Sequence, residues 1–425
     1  MLNFTDPVTY IFLSVFFTAL GGISLYNIGP IHFRPYQIPL IIALLLLIFK
    51  FLISNKKIVL PIQFFLVLLI FYITIIISFL NAPFPILTLK QSILLFLYVI
   101  LYFLIINVCT NKKNILQLHK VIIFSCFVAC VYGVIMLVLT NLPNHGREGG
   151  YFYSRPRSFF VEPNEFGEYL VFVFGYIFSE YASRKKIVNR RIFWITFYLI
   201  LILLVPNMSR GSWLGCVVIM FLVFYYQDKL KLIKVNFAKK IKTVFFIFCF
   251  SVITLLVVSK FIPKRWNMSV AEVVTSRISS LFSGTDATSS IRIDSNKKAF
   301  KTMFEYPFTG IGLGNAFTVM QDVKKNDGKL PNVIVATSSN FIADLGMELG
   351  LFGLGSFILF LFFVFFKGIF SLKKIKDTDL LVVYIGAFAS YIGLLINSLT
   401  YSSYLLPFLW ISAGIISAGV INDEL

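Results

Sequence analysis

Residues 261–338 read FIPKRWNMSVAEVVTSRISSLFSGTDATSSIRIDSNKKAFKTMFEYPFTGIGLGNAFTVMQDVKKNDGKLPNVIVATS, the one long polar interruption in an otherwise apolar chain. Its backbone could not lie against lipid, where only closed helices and barrels satisfy their own hydrogen bonds. On either side, apolar runs recur at about the 17–25 residues a helix needs to cross a bilayer. Helical spans are therefore expected at 8–27, 37–53, 60–80, 90–107, 121–140, 164–182, 191–206, 211–226, 243–260, 339–366, 380–397 and 401–420. The chain reads as an all-α polytopic membrane protein of about 12 transmembrane helices with one large extracytoplasmic loop containing short helices. Its organisation follows: a membrane domain over 1–260 holding the first nine spans, a loop or lid over 261–338, and a membrane domain over 339–425 ending in a short tail.

Composition excludes a soluble class. Of 425 residues, 58% are hydrophobic, 17% aromatic and only 13% charged, outside the range of globular domains. The net charge of +19 could suit nucleic acid, but the basic residues fall in short clusters between apolar runs. Membrane topology and anionic lipid account for that pattern, so membrane lipids are expected partners and nucleic acid is not. Cys109, Cys126, Cys130, Cys216 and Cys249 all lie in or beside apolar runs, where a small polarisable side chain is filler. Neither a disulfide nor a metal-thiolate site is expected, and His32, His119 and His145 are too scattered for zinc. The first apolar run starts near Val8 with no basic region before it, and it is long enough to be a span rather than a cleaved signal.

Charge fixes orientation. With a cytoplasmic N-terminus, the loops expected inside carry twenty basic residues and the short loops expected outside only six: Arg34, Lys90, Arg147, Arg155, Arg157 and Arg210. That bias holds through all the spans and places both termini in the cytoplasm and the long loop outside. Within the loop, Ser289 or Ser290 is positioned to cap a helix carrying Ile291, Phe300, Met303 and Phe304 on one side, which Pro307 ends. A helix lying on the headgroups with Arg292 snorkelling would show the same pattern.

Charges near membrane spans are costly, so those present are functional candidates. Asn340, Asp344 and Glu348 repeat at i, i+4 and i+8 and form one polar stripe at the start of the tenth span. The sixth span opens on Glu162-Pro163-Asn164-Glu165-Phe166-Gly167-Glu168. Arg155, Arg157, Arg210, Arg292 and Lys90 are expected on the same side, around an outward-facing polar cavity. Acids at helix N-termini also stabilise the dipole, which would explain Glu165 but not Glu348, beyond the first turn. Guanidinium forks converging on one cavity suit a diphosphate or carboxylate substrate. Asp377-Thr378-Asp379 reads as a solvated loop. Gly310-Ile311-Gly312-Leu313-Gly314-Asn315 reads as a tight turn with close backbone approach, because no Lys-Ser/Thr follows it.

Four segments together resemble the O-antigen polymerase and ligase superfamily, the Wzy/WaaL type of bacterial envelope enzyme. They are Ser154–Phe159 with Glu162–Gly167; Met208-Ser209-Arg210-Gly211-Ser212-Trp213; Arg292 followed by Tyr306–Asn315; and Ser339-Asn340-Phe341 with Glu348–Gly353. The resemblance implies a GT-C-like, metal-independent membrane glycosyltransferase without a cofactor, acting at the outer face of the bacterial plasma membrane on an undecaprenyl-diphosphate-linked oligosaccharide. It implies diphosphate binding by Arg155 or Arg157, Arg210 and Arg292, with Lys90 facing the same cavity, and a polysaccharide chain-length regulator as a partner. Ligases of the family resemble one another in a histidine at the start of the helix after the large loop, where this chain reads Thr337-Ser338-Ser339-Asn340. A serine is no base, so Glu348, Asp344 and Glu162, in that order, are the expected proton acceptors, with Asn164, Glu165, Ser339 and Asn340 completing the cavity. The missing histidine favours a polymerase of O-antigen, capsule or exopolysaccharide repeats over a ligase delivering glycan to lipid A core. A lipid-linked oligosaccharide flippase would need two related halves, which this chain lacks.

Overall fold

The computed structural model describes residues 6–28, 31–54, 58–139, 155–230, 287–320, 340–402 and 404–419, with single positions at 232, 242, 245, 249 and 253. Most of the expected span at 243–260, and the loop residues 261–286 and 321–338, lie outside the described residues.

In order, the helices are α1 (Pro7–Phe17), α2 (Gln37–Ser54), α3 (Ile62–Ser78), α4 (Pro85–Val108), α5 (Lys112–Leu139), α6 (Pro163–Ser183), α7 (Arg190–Asn207) and α8 (Arg210–Lys229). They continue with α9 (Ala287–Glu305), α10 (Ala316–Met320), α11 (Phe341–Lys374), α12 (Thr378–Ser398) and α13 (Pro407–Ala418). Strands β1 (Tyr26–Ile28) and β2 (Ile31–Phe33) pair antiparallel between α1 and α2, with Tyr26 opposite Phe33; they are the departure from an all-helical reading among the described residues. Proline explains four starts: Pro7, Pro85, Pro163 and Pro407 each sit at the first helical position, where a missing N–H costs nothing. Arg184 and Met208 end α6 and α7 in the left-handed conformation.

Helices stand at eleven of the twelve expected positions. Seven of them, α3, α4, α5, α7, α8, α11 and α12, are long and apolar enough to cross a membrane; α1, α2 and α13 are shorter and apolar. This is a multi-pass membrane protein. Helix α6 carries Glu165, Glu168 and Glu180 and is buried continuously from Phe166 to Glu180, as a helix surrounded by others must be. It packs mainly against α12 and α8, and small residues let the backbones close. A Cβ on Gly175 would stand 2.8 Å from the Gly386 carbonyl, and one on Gly215 would stand 2.8 Å from the Gly393 carbonyl. In hydrocarbon, where helices gain little from hydrophobicity, such close packing is the main attraction between them.

Two refinements concern the loop and its exit. Helix α9 begins at Ala287, so Ser289 and Ser290 fall inside its first turn rather than capping it, while Pro307 stands two residues beyond its end as expected. Helix α11 is two segments. Gly350, at φ 70° and ψ −173°, breaks it between Phe341–Leu349 and Leu351–Lys374. The Pro307 carbonyl accepts from Leu351 N there at 2.7 Å, and a Cβ on Gly350 would meet that carbonyl oxygen at 2.5 Å.

Polar contacts gather at the two ends of the bundle. At one end Lys112 Nζ meets Asp377 at 2.6 Å, Lys185 Nζ meets Asp379 at 3.0 Å, and Lys50 Nζ meets Asp6 at 3.2 Å. Asp377-Thr378-Asp379 is partly solvated, as expected, and is also engaged: Asp377 caps α12 by accepting from Asp379 N and Leu380 N. The buried His119 Nε2 and Glu180 Oε2, 2.7 Å apart, join α5 to α6, while Glu180 Oε1 takes the Ile187 and Val188 amides. Partial burial opposes ionisation of Asp377, but the Lys112 ammonium and the two cap amides outweigh it and hold this carboxyl below its ordinary value of 3.8.

Two outcomes are expected. Gly215→Val should cost about 1–3 kcal/mol, the range for overpacking a filled interface, and lower the melting temperature of the detergent-solubilised protein. Gly355→Ala should not, since nothing lies within 4 Å of its Cβ position. Because Asp377 is depressed, its contribution is fully present above pH 3.8 and is lost as pH falls through its lower folded value. Asp377→Asn should therefore narrow the gap in melting temperature between pH 7 and pH 3.

Candidate active site

The opposite end is built on the opening of α6. Pro163 starts the helix and Glu162 precedes it in an extended conformation without a side-chain cap bond. Asn164 Oδ1 accepts from Arg155 at 2.7 Å, and Glu165 Oε2 accepts from Val161 N at 3.1 Å. Arg155 also donates from Nε to the Asn207 carbonyl at 2.6 Å, at the last residue of α7, where the helix dipole favours a cation. Asn207 Nδ2 returns to the Pro156 and Pro163 carbonyls at 3.1 and 2.7 Å. Arg155 and Asn207 therefore lock the segment before α6 onto the α7–α8 joint. Arg157 reaches the Val161 carbonyl at 3.2 Å. Arg210 opens α8 directly after that joint and is half-buried. Beside it Gly211 presses on α12, where a Cβ would stand 2.6 Å from Asn397 Oδ1.

The expected stripe exists, and it lies on the short segment before the Gly350 break. Asn340 caps α11 by accepting from Ile342 N at 3.0 Å. Buried Asp344 accepts from Ser402 Oγ. Buried Glu348 is enclosed: Oε2 takes the Tyr404 hydroxyl at 2.7 Å, and Oε1 takes Ala316 N at 3.1 Å, with the Gly314 amide also bonded to the carboxylate. Its carbonyl accepts from Gly312 N at 3.0 Å, and that of Met347 from Ile311 N at 3.0 Å. The glycine turn needs its glycines. Gly310, Gly312 and Gly314 all have positive φ (61°, 89° and 81°), and a Cβ on Gly310 would meet the Glu348 carbonyl oxygen at 2.2 Å. From the other side Asn315 holds the turn on α4, accepting from Phe84 N at 3.0 Å and donating to Thr88 Oγ1 at 2.9 Å.

Sequence reasoning missed the connector between α12 and α13. Tyr401 hydrogen-bonds Glu162 and lies within electrostatic reach of Glu165 and Glu168, while Ser402 and Tyr404 bond Asp344 and Glu348. Three residues thus join the carboxylates at the start of α6 to those of α11. Burial first, then these carboxylates, keep the Tyr401 phenol well above its ordinary value of 10.0, so it remains a donor. Nothing in LTYSSYLL marked it beyond polar residues between two apolar runs.

Arg34 was missed as well, although it was one of the six basic residues expected outside. Its guanidinium hydrogen-bonds Tyr36 and acts electrostatically on Glu165 and on Lys90. The structure therefore brings Lys90 to Glu165 and Glu162 through Arg34 and Tyr401, and brings Arg155 to Asn164. Arg292 lies on α9, on the face whose Ala299 and Met303 are buried against α11 and about two turns before Ala299. Ser339 lies outside the described residues.

Chemically, this end offers cations beside carboxylates at the mouth of a helical bundle, a setting for an anionic substrate. No curated protein matches the chain. Residues 194–358, which run from α7 through the glycine turn and past the Gly350 break, match the family described as O-Antigen ligase. That stretch holds Arg210, Arg292, the glycine turn and the Asn340–Glu348 stripe together, and over it the chain is similar to the O-antigen polymerase and ligase superfamily.

Proposed function

We propose that the protein is a polymerase of undecaprenyl-diphosphate-linked oligosaccharide repeats, for O-antigen, capsule or exopolysaccharide, at the outer face of the bacterial plasma membrane. In this reading the chain has twelve spans and cytoplasmic termini, and the end bearing Arg155, Arg210 and Glu162 faces outward. The observation that carries it is the gathering of Arg155, Arg157, Arg210, Lys90 and the α6 carboxylates at one bundle end, within a chain that matches this family over 194–358. Arg157, Arg210 and Arg292 bind the donor's diphosphate, with Arg155 holding the α7–α8 joint beside Arg210. Negative charge grows on the departing diphosphate in the transition state, so fixed cations there lower the barrier without reorganising. The reaction needs no metal in this reading, because arginine supplies that charge.

The choice of polymerase over ligase rests on the residues before Asn340, Thr337-Ser338-Ser339, where no imidazole is present. His119 is bonded to Glu180 at the other end of the bundle.

Among the three expected bases the geometry favours Glu162. A base must reach the proton it removes, and Glu162 is exposed at the α6 opening beside the Tyr401 hydroxyl. Glu348 is committed to two amides and a tyrosine, and Asp344 to Ser402. They build the wall, and this reverses the order expected from sequence.

Purified protein given a defined diphosphate-lipid repeat, or a polymerase-null strain complemented with variants, tests this reading through the glycan ladder. Arg210→Ala should reduce extension about 10²–10³-fold, the range for removing one transition-state donor, with the protein still folded and inserted. Normal ladders from Arg210→Ala and Arg292→Ala together would sink the diphosphate assignment. Glu162→Gln should lower extension about 10²–10⁴-fold at unchanged melting temperature, whereas Glu348→Ala should lower the melting temperature as well. The reverse pattern would return the base to α11.

A further inference from the structure

Arg34 and Lys90 are not part of the donor clamp proposed above, and their geometry is that of a built site. Arg34 lies in the connection between β2 and α2, and Lys90 in the second turn of α4. They come from distant parts of the sequence, yet lie close enough for each charge to act on the other. Like charges are not brought together at a half-buried position without compensation. Glu165 is the carboxylate that acts on Arg34, and among the described residues no ion pair or hydrogen bond engages the Lys90 ammonium.

The arginine is also fixed in advance. Its guanidinium bonds the Tyr36 phenol. Buried Tyr36 and Tyr98 share a hydrogen bond at 3.0 Å, and the Tyr98 hydroxyl donates to the Leu405 carbonyl at 3.0 Å. The donors therefore run in one direction, from Arg34 through two phenols to the backbone of the α12–α13 connector. Backbone bonds hold the base of the arginine too: its N–H donates to Gln37 Oε1 at 3.0 Å and its carbonyl accepts from Gln37 N at 3.1 Å. A snorkelling arginine has no such anchor.

Position separates this pair from the other cations. Asn164 meets Arg155, while the next residue, Glu165, faces Arg34. Successive helical positions point about 100° apart, so the two basic groups flank the opening of α6 on different sides.

We infer that Arg34 and Lys90 form a second phosphate-binding subsite, separated from Arg155, Arg157 and Arg210 by the first turn of α6, that takes a phosphate-bearing lipid headgroup. Two sources share that chemistry: the diphosphate of a second carrier-linked glycan, the acceptor in the reaction proposed above, and an ordinary anionic phospholipid. The identity of the acceptor rests on the polymerase reading; the subsite itself does not.

The test is equilibrium binding of a short polyprenyl diphosphate to the purified full chain in nanodiscs. One arm uses neutral phosphatidylcholine and the other includes phosphatidylglycerol. In the neutral arm the wild type should bind two diphosphates per chain, and R34Q/K90Q only one. Each single change should weaken the second site by about tenfold or more, as for loss of a hydrogen bond to a charged group. Tyr36→Phe, which leaves both cations but unfastens Arg34, should weaken the same site alone. If phosphatidylglycerol displaces the second diphosphate, the subsite holds phospholipid; if it does not, the subsite is for the carrier. A single site in the wild type, or two sites unchanged by R34Q/K90Q in a protein of normal melting temperature, overturns the inference. The glycan ladder judges the polymerase reading separately: two bound diphosphates without extension would sink that reading and leave the subsite standing.

Discussion

The buried carboxylate of Glu348 is the constraint on which the α6 end of the bundle depends. A charged group so enclosed is tolerated only when its lone pairs are filled, and here they are filled by amides of the glycine turn and by Tyr404. Three features of this end surround it. The turn must present its N–H groups inward, which forces positive φ at Gly310, Gly312 and Gly314. The α12–α13 connector must come close enough to supply the tyrosine, which carries Tyr401 to the carboxylates of α6. Helix α11 also breaks two residues later at Gly350, so that the polar stripe sits on a short segment of its own.

Beneath that end the bundle is held by a different force. Around α6, α8 and α12 the side chains at the crossings shrink to glycine and serine, with Gly175 against Gly386 and Gly215 against Gly393. Backbone proximity of this kind gives α6 a rigid position although it carries three glutamates. Its upper end can then hold Asn164 and Glu165 at fixed angles to two groups of cations. Scaffold and site are coupled because the residues that cannot grow in the core direct the residues that recognise charge at the rim.

Most of the architecture was legible in the chain because hydropathy and charge act locally. Apolar runs of bilayer length located helices at eleven positions, and prolines such as Pro85, Pro163 and Pro407 marked their starts. The i, i+4, i+8 spacing of Asn340, Asp344 and Glu348 correctly put them on one face. What that spacing could not show is what the face meets. Glu348 read as a base because it was a carboxylate at an expensive depth; its engagement by Ala316, Gly314 and Tyr404 depends on residues 32 and more positions away. Asp377 likewise read as solvated alone, because its partner Lys112 lies 265 residues earlier.

By itself the sequence determined that this is a multi-pass helical membrane protein, and it pointed to the superfamily through motifs that each carry their own local signal. Only the tertiary structure decided which polar residues support and which are presented. It engaged Glu348, Asp344 and Asn207 in hydrogen bonds, left Glu162 exposed, and drew Arg34, Lys90 and Tyr401 together from three distant parts of the chain. The reason is physical: whether a carboxylate is a scaffold or a reagent depends on which donors fill its lone pairs, and those donors arrive through chain crossings that no local spacing encodes.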